Sequence, residues 1–84
     1  MTKNQANLLA GALKKRFPGK AEFEPVNAQG RYRFAIVSGR FNAMSQLERQ
    51  DEVWKVVDRV LPRAATLDIS TILAFAPADM ATAK

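Results

Sequence analysis

The sequence predicts an α+β fold of order α-β-β-α-β with a short terminal helix, in which a three-stranded mixed sheet carries its helices on one face. Three observations predict it. Residues 31–38 (RYRFAIVS) alternate, with Tyr32, Phe34 and Ile36 on one side and Arg31 and Arg33 on the other, as in a strand with one wet face. Residues 45–48 (SQLE) form an S-x-x-E capping box. After it, Leu47, Val53, Trp54, Val57, Val60 and Leu61 recur at three- and four-residue spacing until Pro62 ends the helix. A turn-rich stretch before the 31–38 strand and a further apolar run after the helix then supply a hairpin and a strand–helix–strand crossover around one strand.

The first helix is expected over Thr2–Phe17, with Asn4 as N-cap and Leu8, Leu9, Ala12, Leu13 and Phe17 as its apolar stripe. Lys14, Lys15 and Arg16 complement the helix dipole at its end, and Phe17-Pro18-Gly19 stops it. With Lys20 the same cations could take phosphate, so the cluster has a structural and a binding reading. Ala21–Val26 is expected to be a strand with Phe23 inward and Glu22 and Glu24 outward. Residues 27–30 (NAQG) form the turn. In the resulting antiparallel hairpin Glu22 and Glu24 share a face with Arg31 and Arg33. Opposite charges placed so are worth a few tenths to about 1 kcal/mol each, which makes the arginines sheet partners before nucleic-acid ligands.

Residues 38–44 (SGRFNAM) link strand to helix, with Phe41 buried beneath. The link matches neither a phosphate-binding G-x-x-x-x-G-K-[ST] loop nor the G-x-x-G clamp of KH modules. Residues 63–66 are a connector, Ile69–Phe75 is a nearly continuous apolar strand, and residues 77–80 (PADM) read as a terminal helical turn, with Ala81–Lys84 frayed. The core is expected to hold Leu9, Leu13, Phe17, Phe23, Phe34, Ile36, Trp54, Val57 and Leu73.

Eighty-four residues with 48% apolar content make one domain, spanning 1–84, with enough apolar material for a core. There is no cysteine and no histidine, which removes disulfides, the usual nucleophile–base pairs and the soft or borderline metal donors. The carboxylates Glu48, Asp51, Glu52 and Asp58 sit on the polar side of a helix, where solvation is the default role. An enzyme is therefore not expected, and no cofactor is assigned. No apolar run reaches the roughly 20 residues of a membrane span, and no secretory signal core opens the chain, so a soluble, cytoplasmic protein is expected. The net charge of +5 suits an anionic partner or a solvated basic surface.

The runs FPGKAEFEPV, FAIVS and FNAMSQLERQDEVW follow a strand ending in V-S, an F-x-G-K-S segment and a helix reading V-x-R-H-R-x-V-Y. Ser45, Arg49, Val53 and Trp54 fall on matching positions. DISTILAFAPADM is similar to an H-A-L-x-x-x-x-x-T-P-x-E-W ending, with Pro77 and Asp79 in register. Over about residues 8 to 80 the sequence thus resembles the BolA family, whose fold is similar to the second class of KH-like topology.

The resemblance implies a regulatory or interaction protein that pairs with a monothiol glutaredoxin and shares an iron–sulfur cluster through histidine or cysteine ligands. This sequence departs from it where those ligands stand. Asp68 takes the place of the histidine near the third strand, Gln50 that of the helix histidine and Asp51 that of the second arginine. Ala43-Met44 replace the G-K pair, and the hairpin loop offers Asn27, Ala28, Gln29 and Gly30. A carboxylate is a hard, atypical ligand for such a cluster. The expectation is a non-enzymatic BolA-like interaction module with lost or altered cluster ligation. The alternative is a small KH-like nucleic-acid binder using Lys14, Lys15, Arg16, Lys20, Arg40 and Arg49.

Overall fold

The computed structural model describes residues 1–27 and 29–82. Its elements are α1 (Lys3–Arg16), β1 (Gly19–Pro25), β2 (Tyr32–Ser38), the 3-10 turn Gly39–Phe41, α2 (Gln46–Val60), α3 (Arg63–Thr66), β3 (Ile69–Phe75) and α4 (Pro77–Thr82). The α+β order is the expected one. β2 is the central strand, antiparallel to β1 and parallel to β3.

Local chemistry explains most boundaries. Ser45 accepts from the Glu48 N–H while Glu48 reaches back to the Ser45 N–H, so α2 has the full capping box. α1 starts two residues earlier than Asn4 suggested: Thr2 is the N-cap, with Gln5 completing a second capping box. Residues 63–66 form a short helix rather than a plain connector. α4 continues through Thr82, past the expected fraying point at Ala81; residues 83–84, like Ala28 of the turn, lie outside the described residues.

α1 packs against β1 and β2 and α2 against β3, all on one face of the sheet. Leu9, Leu13, Phe17, Phe34, Ile36 and Val57 are buried as expected, joined by Ala6, Phe41, Val53, Val56, Ile72 and Ala74. Phe23 and Trp54 pack against this core but are only partly buried. Leu73 does not belong to it. In β3, Ile72 and Ala74 point to the helices, so Leu73 points to the opposite face and is 41% exposed. The continuous apolar run of β3 concealed that alternation.

The stripes of both helices are rotated from the expected ones. Leu8 and Leu47 are exposed. The buried side of α2 runs through Arg49, Val53, Val56 and Val57 instead. A polar side chain inside the stripe shifted the apparent phase toward Leu47 and Trp54.

Candidate functional site

Asp68 lies between α3 and β3. Its N–H donates to the Ala65 carbonyl at 3.1 Å and its own carbonyl accepts from the Tyr32 N–H at 2.9 Å, which ties the start of β3 to the start of β2. The carboxylate forms an ion pair with the Met1 ammonium. Gly30, at φ +83°, closes the hairpin beside the Met1 backbone; a β-carbon there would lie 3.4 Å from the Met1 carbonyl oxygen. The hairpin turn is held by the Gln29 N–H donating to Asn27 Oδ1 at 2.9 Å. The hairpin loop, residue 1 and residue 68 thus meet at one end of the sheet. The Met1 contact was not foreseen, and no spacing signals an N-terminal residue folding onto position 68.

Arg49 is buried, which removes it from the expected nucleic-acid set. Its guanidinium donates to the Met44 carbonyl at 3.1 Å, the Ala74 carbonyl at 3.3 Å and Asp79 Oδ2 at 2.7 Å, and lies 5.9 Å from the Phe41 ring centroid. Asp79 also accepts from the Ala76 N–H at 3.0 Å. The Arg49 hydrogen bond first, and that N–H second, hold the Asp79 carboxyl below the usual carboxylate range. Next to it, Gln50 donates to the Ile72 carbonyl at 3.0 Å. These two side chains of α2 therefore cover carbonyls along β3, a role the sequence reading missed. The signal was present: Arg49 stands four residues before Val53, on the buried stripe.

The remaining cations come from three segments that the fold draws to the opposite end. The Phe17 ring stacks on Phe41 at 4.7 Å between centroids, and Gly19 pairs with Ser38. This brings the end of α1, with Lys14, Lys15 and Arg16, near Lys20 and Arg40. Lys14, Lys15, Lys20 and Arg40 are exposed. Arg16 binds Glu52 at 3.1 Å and lies over the Phe17 ring, while Lys20 pairs with Glu22 at 3.4 Å. In the hairpin, Arg33 pairs with Glu24 as expected, while Arg31 lines no such pair with Glu22.

The outward side of α2 lines an open cleft with Glu48, Asp51, Trp54, Lys55 and Asp58. Two of its carboxylates, Glu48 and Glu52, have structural work. Hydrogen bonds from the Ser45 N–H and hydroxyl lower the Glu48 pKa. The Lys55 ammonium, at 2.8 Å, does the same for Glu52, and Glu52 in turn raises Lys55. A general acid near neutral pH needs the opposite shift. Among the described residues no group of three or more histidine, cysteine or acidic side chains converges as a metal site. None of the described helices is long and apolar enough to cross a membrane.

No family model and no curated protein matches the chain. Solved structures do. BolA1 from Arabidopsis thaliana superposes with a TM-score of 0.70 at 19% identity, over 93% of this chain and 98% of that one. The BolA domain of SufE1 from Arabidopsis thaliana gives 0.66 at 19%, over 94% and 98%. The chain is BolA-like in fold. The expected resemblance therefore holds at the level of architecture along nearly the whole chain. For a BolA-like chain, the donor set around position 68 does not fit an iron–sulfur cluster. The sequence holds neither thiolate nor imidazole, and the one carboxylate at that position faces an ammonium.

Proposed function

We propose that the chain is a divergent member of the BolA family that acts in the cytoplasm as a single-domain, non-enzymatic interaction module. It binds a protein partner, with a monothiol glutaredoxin the first to test, and supplies no ligand to a shared iron–sulfur cluster. One observation carries the second half of this reading: a carboxylate, Asp68, stands where the resemblance puts the family's histidine, and the sequence holds neither thiolate nor imidazole to replace it. The BolA-like fold supports the first half. Anaerobic cluster reconstitution with a monothiol glutaredoxin, read by visible circular dichroism, tests both. Association of the two proteins with an unchanged cluster spectrum is expected. A spectrum that changes on adding this chain, and stops changing in Asp68→Ala, would overturn the loss of ligation.

The nucleic-acid reading is second. It is favoured by the gathering of Lys14, Lys15, Lys20 and Arg40, with Arg16, at one end of the fold. It is weakened by the burial of Arg49 and by the pairing of Arg16 and Lys20 with glutamates. A salt titration separates the readings, because each phosphate contact contributes about −0.9 to the slope of log K against log salt on B-DNA. If this end binds DNA, replacing Lys14, Lys15 and Arg40 together by glutamine lowers the slope by nearly three such contacts. Absence of salt-dependent binding in the unmodified chain removes the reading.

A further inference from the structure

The sheet face turned away from the helices has an ordered pattern of its own. Cross-strand pairing sets Lys20, Val37 and Phe75 in one row, Glu22, Ala35 and Leu73 in the next, and Glu24, Arg33 and Thr71 in the third. The alternate positions Phe34, Ile36, Ile72 and Ala74 are buried, so these three rows face outward. Leu73 is 41% exposed, and Ala35, Val37 and Phe75 are half-buried. The charges in these three rows cancel in pairs, Lys20 with Glu22 and Arg33 with Glu24. The chain's net charge of +5 therefore resides on the rest of its surface.

We propose that this face is a self-association surface, covered by a second copy of the chain in a weak twofold dimer. This face is apolar at its centre and locally neutral, so two copies can approach along it without bringing their net positive charge together. A twofold axis along the middle row makes the face self-complementary. Leu73 then meets Leu73 and Ala35 meets Ala35, with the sheets aligned about 10 Å apart. Lys20 of each copy lies over Glu24 of the other, and Val37 lies over the methylene stem of Arg33. Glu22 meets its counterpart at the axis, where Lys20 of its own chain screens it. Three seven-residue strands spaced about 4.8 Å apart present only about 300 Å². Stable complexes bury about 800 Å² per partner. The dimer is accordingly weak and concentration-dependent.

Sedimentation equilibrium over a concentration series tests this on the whole chain. The mass should rise from monomer toward dimer as concentration increases. Leu73→Asp, at an exposed position, should weaken the association by about tenfold or more while circular dichroism stays unchanged. Lys20→Glu and Glu24→Lys should each weaken it, and the double reversal should recover most of the loss, since it restores the two pairs with their signs exchanged. A chain that stays monomeric at every concentration overturns the proposal, as does association that Leu73→Asp leaves intact. If the chain is monomeric and Leu73→Asp instead abolishes capture by an immobilised monothiol glutaredoxin, the face belongs to that partner and not to a second copy.

Discussion

Arg49 holds three acceptors from different parts of the chain: the end of the link before α2, the end of β3 and the first turn of α4. Replacing it with methionine keeps the bulk and removes every donor, including those to the Ala74 carbonyl and the Asp79 carboxylate. The expected cost is about 2–4 kcal/mol in urea denaturation. Arg49→Lys should recover only part of it, because one ammonium cannot span the fork geometry. Asp79 sets the pH dependence of the same contact. Its folded pKa is depressed, so the folded state binds the proton less readily than the unfolded one. The stability it contributes is present above the ordinary aspartate value of about 3.9 and is lost as pH falls through the lower folded value. Thermal melts taken from neutral pH into acid should show Asp79→Asn flattening part of the acid decline. An unchanged acid limb would show that the pair contributes nothing.

For α2, the phase of the helix decides which truncations matter. Leu47 is 72% exposed, so Leu47→Ala should change stability by no more than about 0.5 kcal/mol. Trp54 is partly buried at the margin of the core, and Trp54→Ala should cost about 2 kcal/mol, below the roughly 3–5 expected of a fully enclosed ring. On α1, Leu13→Ala removes a fully buried side chain and should cost about 2–5 kcal/mol. The order Leu13 above Trp54 above Leu47, read from denaturation midpoints, checks the observed phases of both helices. The hairpin has its own constraint. Gly19 has φ +146°, and a β-carbon there would stand 2.1 Å from the Val37 carbonyl oxygen. Gly19→Ala must push β1 away from β2 and should destabilise by at least about 1–3 kcal/mol.

Across the whole molecule, both main helices, β2 and β3 contribute to one buried cluster, against which β1 packs Phe23, and the radius of gyration is 12.6 Å. That value is close to the roughly 12 Å expected of a compact chain of this length. Unfolding should therefore be a single cooperative event: the fluorescence of Trp54 and the far-ultraviolet circular dichroism should report the same midpoint. Separate midpoints would mean that α2 detaches before the sheet opens.

Local chemistry determined the elements. The Ser45–Glu48 capping box, Pro62, the 27–30 turn residues and the alternation of β2 act within a few residues of themselves, so they could be read along the chain and led to the correct order of helices and strands. The same holds for the Glu24–Arg33 pair, because a hairpin fixes its register through a short turn. Tertiary structure decided what each surface is for. Arg49 looks like a solvated cation until Ala74 and Asp79, 25 and 30 residues away, converge on it. Leu73 looks like core until the sheet shows that helices cover only one face. Asp68 looks like a replaced ligand, but only the folded chain brings Met1 against it. Periodicity states that a face is apolar; it does not state which neighbour covers it, because burial and charge pairing depend on groups far away in sequence.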